Sequence, residues 1–107
     1  MSYKLEITAT ARQNYADIAT YVLEQSGSPE TAIRLIRELQ ADTERLKTFP
    51  LCGALPRDRF LLISGYRYLV KGEYLTFYTV NESRKTVFIH AVFNAKKDYT
   101  RIFRTGC

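Results

Sequence analysis

The C-terminal half of the chain contains three runs of apolar and β-branched residues that predict β-strands. The runs span residues 66–71, 74–80 and 86–93, and aromatic, Val, Ile and Thr side chains dominate them, as is typical of strands. Gly72 separates the first two runs, and the polar residues 81–84 separate the last two. Because such short turns join antiparallel neighbours, the pattern predicts an antiparallel meander.

The N-terminal half begins with one strand and continues with helical periodicity. Residues 3–7 alternate between apolar and charged side chains, which predicts a short, half-buried strand. Thr8 or Thr10 is a candidate N-cap for the helix that follows, and Gly27 is expected to end it. One stripe of apolar side chains recurs at helical spacing in this helix: Ala11, Tyr15, Ile18, Ala19, Val22 and Leu23.

A second helix is predicted between Ser28 and Pro50. Ser28 as N-cap, Pro29 at the first helical position and Glu30 in the first turn are residues that favour a helix start. The predicted inner face of this helix consists of Ala32, Leu35, Ile36, Leu39, Thr43 and Leu46. Since only a short junction at Gly27 separates the two helices, they are expected to form an antiparallel hairpin.

The remaining segments complete the predicted fold. Residues 49–59 contain two prolines and a glycine without periodicity and are interpreted as a loop. Asn94 is a candidate cap of a final short helix, in which three side chains are expected to face inward: Tyr99, Ile102 and Phe103. The predicted fold class is therefore α+β: an antiparallel β-sheet in the order β-α-α-β-β-β-α, with an N-terminal helical hairpin packed on one face, in one domain spanning residues 1–107.

The composition of the chain is that of a soluble globular protein. Hydrophobic residues make up 46 % and charged residues 25 % of the chain, which is ordinary for a soluble globular protein. No apolar run approaches the about 18 residues needed to cross a bilayer, and no charged-then-apolar leader is visible, so we expect a cytoplasmic protein without a membrane partner. Cys52 and Cys107 lie far apart and fit neither a metal-ligand pair nor a disulfide framework, so two free thiols are expected.

The net charge of +5 is concentrated in the C-terminal half. Residues 1–50 contain six Lys or Arg and seven Asp or Glu, whereas residues 51–107 contain ten Lys or Arg and four Asp or Glu. Such asymmetry favours nucleic acid or an acidic protein as the partner. A basic surface that serves only solubility is the alternative.

No strong catalytic motif is present, and the only histidine is His90. The sequence has no phosphate-binding glycine loop, nucleophile elbow or metal-ligand cluster, so no metal or cofactor is expected. Strand alternation places His90 on one face with Phe88 and Val92. His90 would suit general-base catalysis of RNA hydrolysis. The alternative is a partly buried histidine within a sheet, because no acid or second histidine lies nearby in the sequence to orient it.

Basic and aromatic side chains of this half are candidates for phosphate contact and base stacking. The cations are Arg67, Lys71, Lys96, Lys97, Arg101 and Arg104, and the aromatic residues are Tyr66, Tyr68, Tyr74 and Tyr99. The alternatives are tyrosines that serve the core and lysines that lie in solvent. Arg67 is the most specific of the set, because a fixed charge within an apolar strand needs an anion, an acidic partner or an ion pair.

The whole chain resembles the RelE/ParE superfamily of toxins from bacterial type II toxin–antitoxin systems. Three segments carry the resemblance: the helical hairpin and its exit at residues 11–53, the strands at 65–80, and residues 85–103, where the closing strand precedes a basic pair, Asp and an aromatic residue. The resemblance implies a RelE/ParE-like fold and a growth-inhibiting toxin that a cognate acidic antitoxin neutralises.

Relatives of this kind have two activities. RelE-like toxins cut mRNA on the ribosome without a metal, which for this chain would make Arg67, His90, Lys96 and Lys97 the catalytic set. ParE-like toxins instead inhibit DNA gyrase and have no enzymatic activity. For either target, we assign binding to one set of residues: Arg67, Tyr68, Tyr74, Lys96, Lys97, Tyr99, Arg101 and Arg104.

Departures from the ribonuclease pattern favour the gyrase-type target. Asn94 and Ala95 stand where many nuclease relatives have histidine or arginine, and Tyr74 and Leu75 stand in the middle strand where arginine is frequent. Arg67 does match the basic set in place. We therefore expect a DNA gyrase inhibitor. The alternatives are a ribosome-dependent mRNA endoribonuclease and a non-toxic RNA- or protein-binding module.

Overall fold

The structure, a computed structural model, describes residues 2–96. Its elements in chain order are strand β1 (Lys4–Ile7), helices α1 (Ala9–Ser26) and α2 (Pro29–Thr43), a 3₁₀ turn (Glu44–Lys47), helix α3 (Arg59–Ile63), and strands β2 (Arg67–Lys71), β3 (Tyr74–Asn81) and β4 (Thr86–Asn94). The predicted α+β class is confirmed, with α1 and α2 packed on one face of the sheet. The predicted final helix, with Tyr99, Ile102 and Phe103, lies outside the described residues, as does Cys107. None of the helices within residues 2–96 combines the length and the apolar character needed to cross a membrane.

The four strands form one open sheet in the order β1-β4-β3-β2. Strands β2, β3 and β4 form the predicted antiparallel meander. Strand β1 instead pairs in parallel with β4, with Lys4 opposite Thr86 and Ile7 opposite Ile89, so the sheet is mixed and not wholly antiparallel. Parallel neighbours need a long crossover, which the helices and the other two strands supply here, so no short turn in the sequence indicates this pair.

The helix boundaries follow the predicted caps because local side chains set them. Thr8 Oγ1 accepts a hydrogen bond from Ala11 N at 3.1 Å, and Ser28 Oγ accepts one from Thr31 N at 3.2 Å. Both residues are therefore confirmed as N-caps. Gly27 has a φ of 70°, the left-handed conformation in which glycine ends a helix at little cost.

The core between the helices and the sheet uses most of the predicted inner faces. Its buried members are Ala11, Tyr15, Leu39, Leu46, Leu69, Tyr78, Val87, Ile89 and Val92. The prediction for Leu23 is wrong, since its side chain is 40 % exposed. Adjacent helical residues point about 100° apart, and Val22, the neighbour of Leu23, is half-buried. Helix α2 ends at Thr43, earlier than predicted, and the following 3₁₀ turn buries Leu46.

The sequence pattern does not predict α3. Five residues are too few to show helical periodicity, and the two prolines and the glycine of residues 49–59 favour a loop up to Arg59. Asp58 Oδ1 accepts a hydrogen bond from Leu61 N at 3.0 Å and so caps the helix. Leu61 packs against the sheet, whereas Phe60 and Ile63 are 74 % and 77 % exposed.

Leu39→Ala is expected to destabilise the protein without changing any candidate functional residue. Leu39 is 1 % exposed, so its truncation removes buried methyl groups and leaves a cavity. We expect the free energy of unfolding to fall by about 2–5 kcal/mol, measured by chemical denaturation. Ile33→Ala, at an exposed position of the same helix, is the control. Equal denaturation midpoints for the two variants would show that the inner face of α2 is assigned wrongly.

Candidate functional site

A β-bulge in β4 interrupts the regular alternation of side chains across the sheet. Phe77 pairs with Ala91 and Tyr78 pairs with Ile89. His90 is therefore an extra residue without a counterpart on β3. We call the side of the sheet opposite α1 and α2 the open face, and the bulge decides which side chains of β4 reach it.

The bulge corrects the predicted positions of two side chains in β4. Val92 does not share a face with His90, because it is buried between the helices and the sheet. Regular alternation would place Ala91 on the opposite side from His90, but Ala91 packs with Phe77 on the open face. The extra residue shifts the alternation by one position. Phe88 precedes the bulge, so it stays on the side of His90 as predicted.

His90 lies on the open face between Thr79 and Tyr66. Its Nε2 is 2.8 Å from Thr79 Oγ1, and its ring centroid is 5.2 Å from that of Tyr66. Burial lowers the pKa of His90 from its ordinary value of 6.5, so the imidazole is neutral at pH 7. Within residues 2–96 no carboxylate is hydrogen-bonded to the ring, and no group of three or more His, Cys, Asp or Glu could hold a metal ion.

Two open grooves of about 720 Å³ and about 470 Å³ meet at Tyr66 and His90. We call the two together the aromatic trough, which is defined by Phe60, Leu61, Tyr66, Phe77, Phe88 and His90. Hydroxyl groups, among them that of Thr79, line its rim. Among the described residues, no Lys or Arg side chain lines either groove. The trough therefore offers aromatic and polar contacts, and Glu82 is the charged residue among those given for its lining.

Arg67 lies on the other side of the sheet. It is the cross-strand partner of Tyr78, and such directly opposed side chains share a face; Tyr78 belongs to the core under the helices. Arg67 Nη1 donates hydrogen bonds to Leu51 O at 3.1 Å and to Gly53 O at 3.0 Å. Among the described residues, the partners of the Arg67 guanidinium are therefore two backbone carbonyls, whereas the sequence predicts an anion, an acidic partner or an ion pair.

Gly53 completes this contact, which we call the Arg67 latch (Arg67, Tyr78, Leu51 and Gly53). Gly53 N donates to Tyr78 Oη at 2.9 Å, and burial raises the pKa of Tyr78, so the phenol stays protonated. A Cβ at position 53 would lie 2.5 Å from Tyr78 Oη and 2.9 Å from Tyr68 O. Only glycine therefore allows the loop to approach the sheet this closely.

The structure distributes the other predicted site residues over different surfaces. Tyr68 stacks with Phe77 on the open face, with ring centroids 5.4 Å apart, whereas Tyr74 packs against the core under the helices. Lys96 is exposed, and its Nζ is 3.9 Å from Glu73 Oε2. Four of the predicted residues lie outside the described part of the chain: Lys97, Tyr99, Arg101 and Arg104.

A comparison with protein families decides the assignment. Residues 5–99 match the model of the ParE toxin of type II toxin–antitoxin systems, parDE, which is most of the chain. The chain belongs to the ParE toxin family. A search of curated proteins finds no match.

Three solved structures resemble this ParE-family chain. One, from the chromosomal ParDE system of P. aeruginosa, has a TM-score of 0.72 at 18 % identity and covers 87 % of this chain and 96 % of its own. The RelBE2 toxin–antitoxin complex of Mycobacterium tuberculosis has a TM-score of 0.59 at 21 % identity, and the match covers 88 % of this chain and 99 % of the other. A mutant of the E. coli toxin RelE in the free state has a TM-score of 0.61 at 14 % identity, and the match covers 98 % of each chain. At these identities the likeness shows the fold, and it confirms the RelE/ParE-like architecture.

Sequence reasoning missed part of the aromatic trough of this ParE-family chain. Thr79 and Phe60 are absent from the predicted site residues. Alternation from Phe77 places Thr79 on the open face, but its contact with His90 depends on the bulge, which the sequence does not reveal. Phe60 has no comparable signal, because it belongs to the unpredicted helix α3.

Arg67→Ala is expected to weaken the fold of this ParE-family chain by opening the Arg67 latch. The change removes both hydrogen bonds to the loop carbonyls, so we expect the free energy of unfolding to fall by about 1–3 kcal/mol, measured by chemical denaturation. Arg59→Ala, at an exposed position of α3, is the control and should change it by less than about 0.5 kcal/mol. Unchanged stability of Arg67→Ala together with lost toxicity would instead place Arg67 in direct contact with the target.

Acidification is expected to destabilise the protein through His90. The pKa of His90 in the folded protein lies below its ordinary value of 6.5, so the unfolded chain binds the proton first as the pH falls. The contribution of His90 to the free energy of unfolding is therefore fully present above about pH 6.5, and it is lost progressively as the pH falls to the pKa of His90 in the folded protein. Because the chain has one histidine, His90→Gln removes this contribution. The measurement compares melting temperatures at about pH 7.5 and about pH 5.5. Equal falls in the wild type and the variant would refute the prediction.

Proposed function

We propose that this member of the ParE toxin family inhibits growth by acting on DNA gyrase and does not cut mRNA. The observation that carries the proposal is the separation of Arg67 and His90 by the sheet. A metal-independent ribonuclease needs a cation at the phosphate and a proton-transfer group on one surface. Here the guanidinium is bonded to loop carbonyls, whereas the imidazole faces the aromatic trough.

The electrostatics of the aromatic trough support the same proposal. Within residues 2–96 no Lys or Arg lines it. Arg84 lies against the Phe88 ring, 5.8 Å from its centroid, and does not line the groove beside His90, where the developing charge of a phosphodiester would need a cation. The neutral imidazole is hydrogen-bonded to Thr79, and no described carboxylate orients it as a base. Such a surface suits contact with a protein better than RNA cleavage.

A cognate acidic antitoxin is the proposed partner. Two of the similar structures are described as a ParDE system and as the RelBE2 toxin–antitoxin complex. For this chain, the net charge of +5 favours an acidic partner, whose association rate should fall as salt screens the attraction. The protein encoded immediately beside this one is the first candidate, and co-expression followed by purification tests whether the two form a complex.

A ribosome-dependent mRNA endoribonuclease is the second candidate function. The observation in its favour is the contact of His90 with Thr79 at the edge of an open groove of about 720 Å³. A neutral imidazole in an accessible groove can accept a proton from a substrate hydroxyl. A non-toxic RNA- or protein-binding module is the remaining alternative.

Induced expression in cells distinguishes these functions. A gyrase inhibitor arrests growth, causes gyrase-linked DNA breaks and leaves mRNA whole. A ribonuclease arrests growth and leaves cleaved transcripts, which primer extension detects. A binding module does not arrest growth. Cleaved mRNA without DNA breaks would overturn the proposal.

His90→Gln is expected to leave the toxicity almost unchanged. The amide of Gln keeps a polar group near Thr79, so the fold should persist. If His90 transferred a proton in the reaction, the same change would slow mRNA cleavage by about 10²- to 10⁴-fold. The measurement is growth arrest at matched expression level, with a thermal melt near neutral pH to verify that the variant is folded. A folded variant that no longer arrests growth would contradict the gyrase-type function.

A further inference from the structure

Two large apolar side chains of α3 extend into solvent. Phe60 and Ile63 lie three residues apart, on the same side of the helix, and they are 74 % and 77 % exposed. Leu61 between them packs against the sheet, so α3 is seated through Leu61 and presents its neighbours outward. Adjoining apolar side chains that remain this exposed mark a site of contact with another molecule.

Hydrogen bonds hold α3 in one conformation. Leu62 N donates to Asp58 O at 2.9 Å, and Leu61 N donates to Asp58 Oδ1 at 3.0 Å. Gly65 follows the end of the helix with a φ of 87°, the left-handed conformation that glycine adopts at little cost. The exposed side chains are therefore presented by a pre-organised element, which reduces the entropy that is lost on binding.

Two arginines flank the exposed side chains of α3. Arg57 and Arg59 are exposed and lie within three residues of Phe60 along the chain. The acid in residues 54–64 is Asp58, and it is engaged as the cap of the helix. Guanidinium groups present paired N–H donors that match the oxygens of a phosphate, so this segment combines apolar side chains with phosphate-binding groups.

A third arginine lies against the ring of Phe88. The guanidinium of Arg84 is 5.8 Å from the centroid of that ring, and Phe88 and Phe60 line the same groove. Glu82 also lines this groove, but Lys85 Nζ lies 3.7 Å from its carboxylate and partly offsets its charge. Cations therefore predominate beside Phe60, as contact with a polyanion requires.

The size of this surface favours duplex DNA over a protein as the molecule that α3 contacts. A protein interface of standard size uses about 20–30 residues on each side, whereas α3 has five residues. Proteins that kink duplex DNA insert one or two apolar side chains, often Phe, Leu or Ile, between adjacent base pairs, and their cations contact the nearby phosphates. Phe60 and Ile63 with their flanking arginines match this mode of binding.

We infer that Phe60, Ile63, Arg57 and Arg59, which we call the α3 wedge, enter the duplex DNA that gyrase holds. The two apolar side chains insert at a base step, and the two guanidinium groups bind phosphates beside it. The inference rests on the proposed gyrase inhibition and extends it by assigning the DNA as the component of the target that α3 contacts. Base pairs that the wedge keeps unstacked hold the ends of a broken strand out of line, which opposes rejoining and accounts for gyrase-linked breaks.

The test uses the full chain, purified gyrase and a set of DNA duplexes that carry 2-aminopurine at the base steps around the gyrase cleavage position. The fluorescence of 2-aminopurine rises when its base unstacks, and gel electrophoresis of the same samples measures the broken DNA. For the wild-type chain we expect both broken DNA and a rise in fluorescence at one of these steps.

The apolar half of the α3 wedge is tested by Phe60→Gln with Ile63→Gln. We expect broken DNA to decrease by about 10-fold or more, because the stacking contact is lost, and the rise in fluorescence to disappear. Leu23→Gln with Ile33→Gln, at exposed apolar positions of α1 and α2, is the matched control and should change broken DNA by less than about twofold. The melting temperatures of both free variants should match the wild type, because the changed side chains are exposed.

The cationic half is tested by Arg57→Gln with Arg59→Gln. The loss of two phosphate contacts should reduce the slope of log affinity against log salt concentration for the gyrase–DNA complex by about 2. Arg34→Gln with Arg37→Gln, which removes two exposed arginines of α2, makes the same change in net charge and should leave the slope unchanged.

Each other outcome overturns a defined part of the argument. If the wild-type chain causes no broken DNA, the proposed gyrase inhibition fails and the inference fails with it. Broken DNA that is equal for the wild type and the Phe60→Gln, Ile63→Gln variant overturns the inference and leaves gyrase inhibition intact. Broken DNA that depends on α3 without a rise in fluorescence at any step would assign α3 to the gyrase protein and overturn the contact with DNA. A lower melting temperature of the free Phe60→Gln, Ile63→Gln variant would show that the chain itself covers these side chains, which overturns the wedge.

Discussion

One extra residue in β4 determines how α1 and the sheet fit together. Two backbone groups of β4 at the bulge are hydrogen-bonded to side chains at the start of α1, those of its N-cap Thr8 and of Asn14. Thr8 Oγ1 donates to His90 O at 3.3 Å, and Val92 N donates to Asn14 Oδ1 at 3.0 Å. Thr8 is also the N-cap of α1, so the start of the helix is tied to the bulge. Because unpaired buried backbone groups are costly, the bulge and the position of the helix specify each other.

The same bulge decides which chemistry each face of the sheet carries. With the alternation shifted, Val92 fills the core under the helices while His90 faces the open side. On the helix side, the cation of Arg67 is taken up by the Arg67 latch, where it holds the loop before β2. The accessible side carries the aromatic trough, which no Lys or Arg of the described residues lines. The accessible aromatic surface is thus on the opposite side of the sheet from Arg67, the strand cation that the sequence singles out.

The sequence predicts those features of the fold that depend on neighbouring residues. The caps at Thr8 and Ser28 are local hydrogen bonds, and the helical stripes and the meander follow from periodicity. The parallel pairing of β1 with β4, by contrast, depends on contacts across most of the chain. For the candidate site, the pattern indicates that Arg67 needs a partner but not which one, since the carbonyls that bind it lie 14 and 16 residues away. Its position relative to His90 depends on the bulge, which leaves no local signal.

An exposed apolar face is a hazard for a free chain, and this fold limits the hazard in a specific way. The backbone of a sheet edge pairs with almost any extended segment, and here Lys47 and Ala54 occupy parts of both edges. The aromatic trough presents side chains instead, and side chains discriminate between partners by shape and by the charges at their rim. The net charge of +5 also opposes contact between copies of the chain. With parts of both edges occupied, the fold disfavours unselective pairing through the backbone, and the exposed surface is defined by the side chains of α3 and β4.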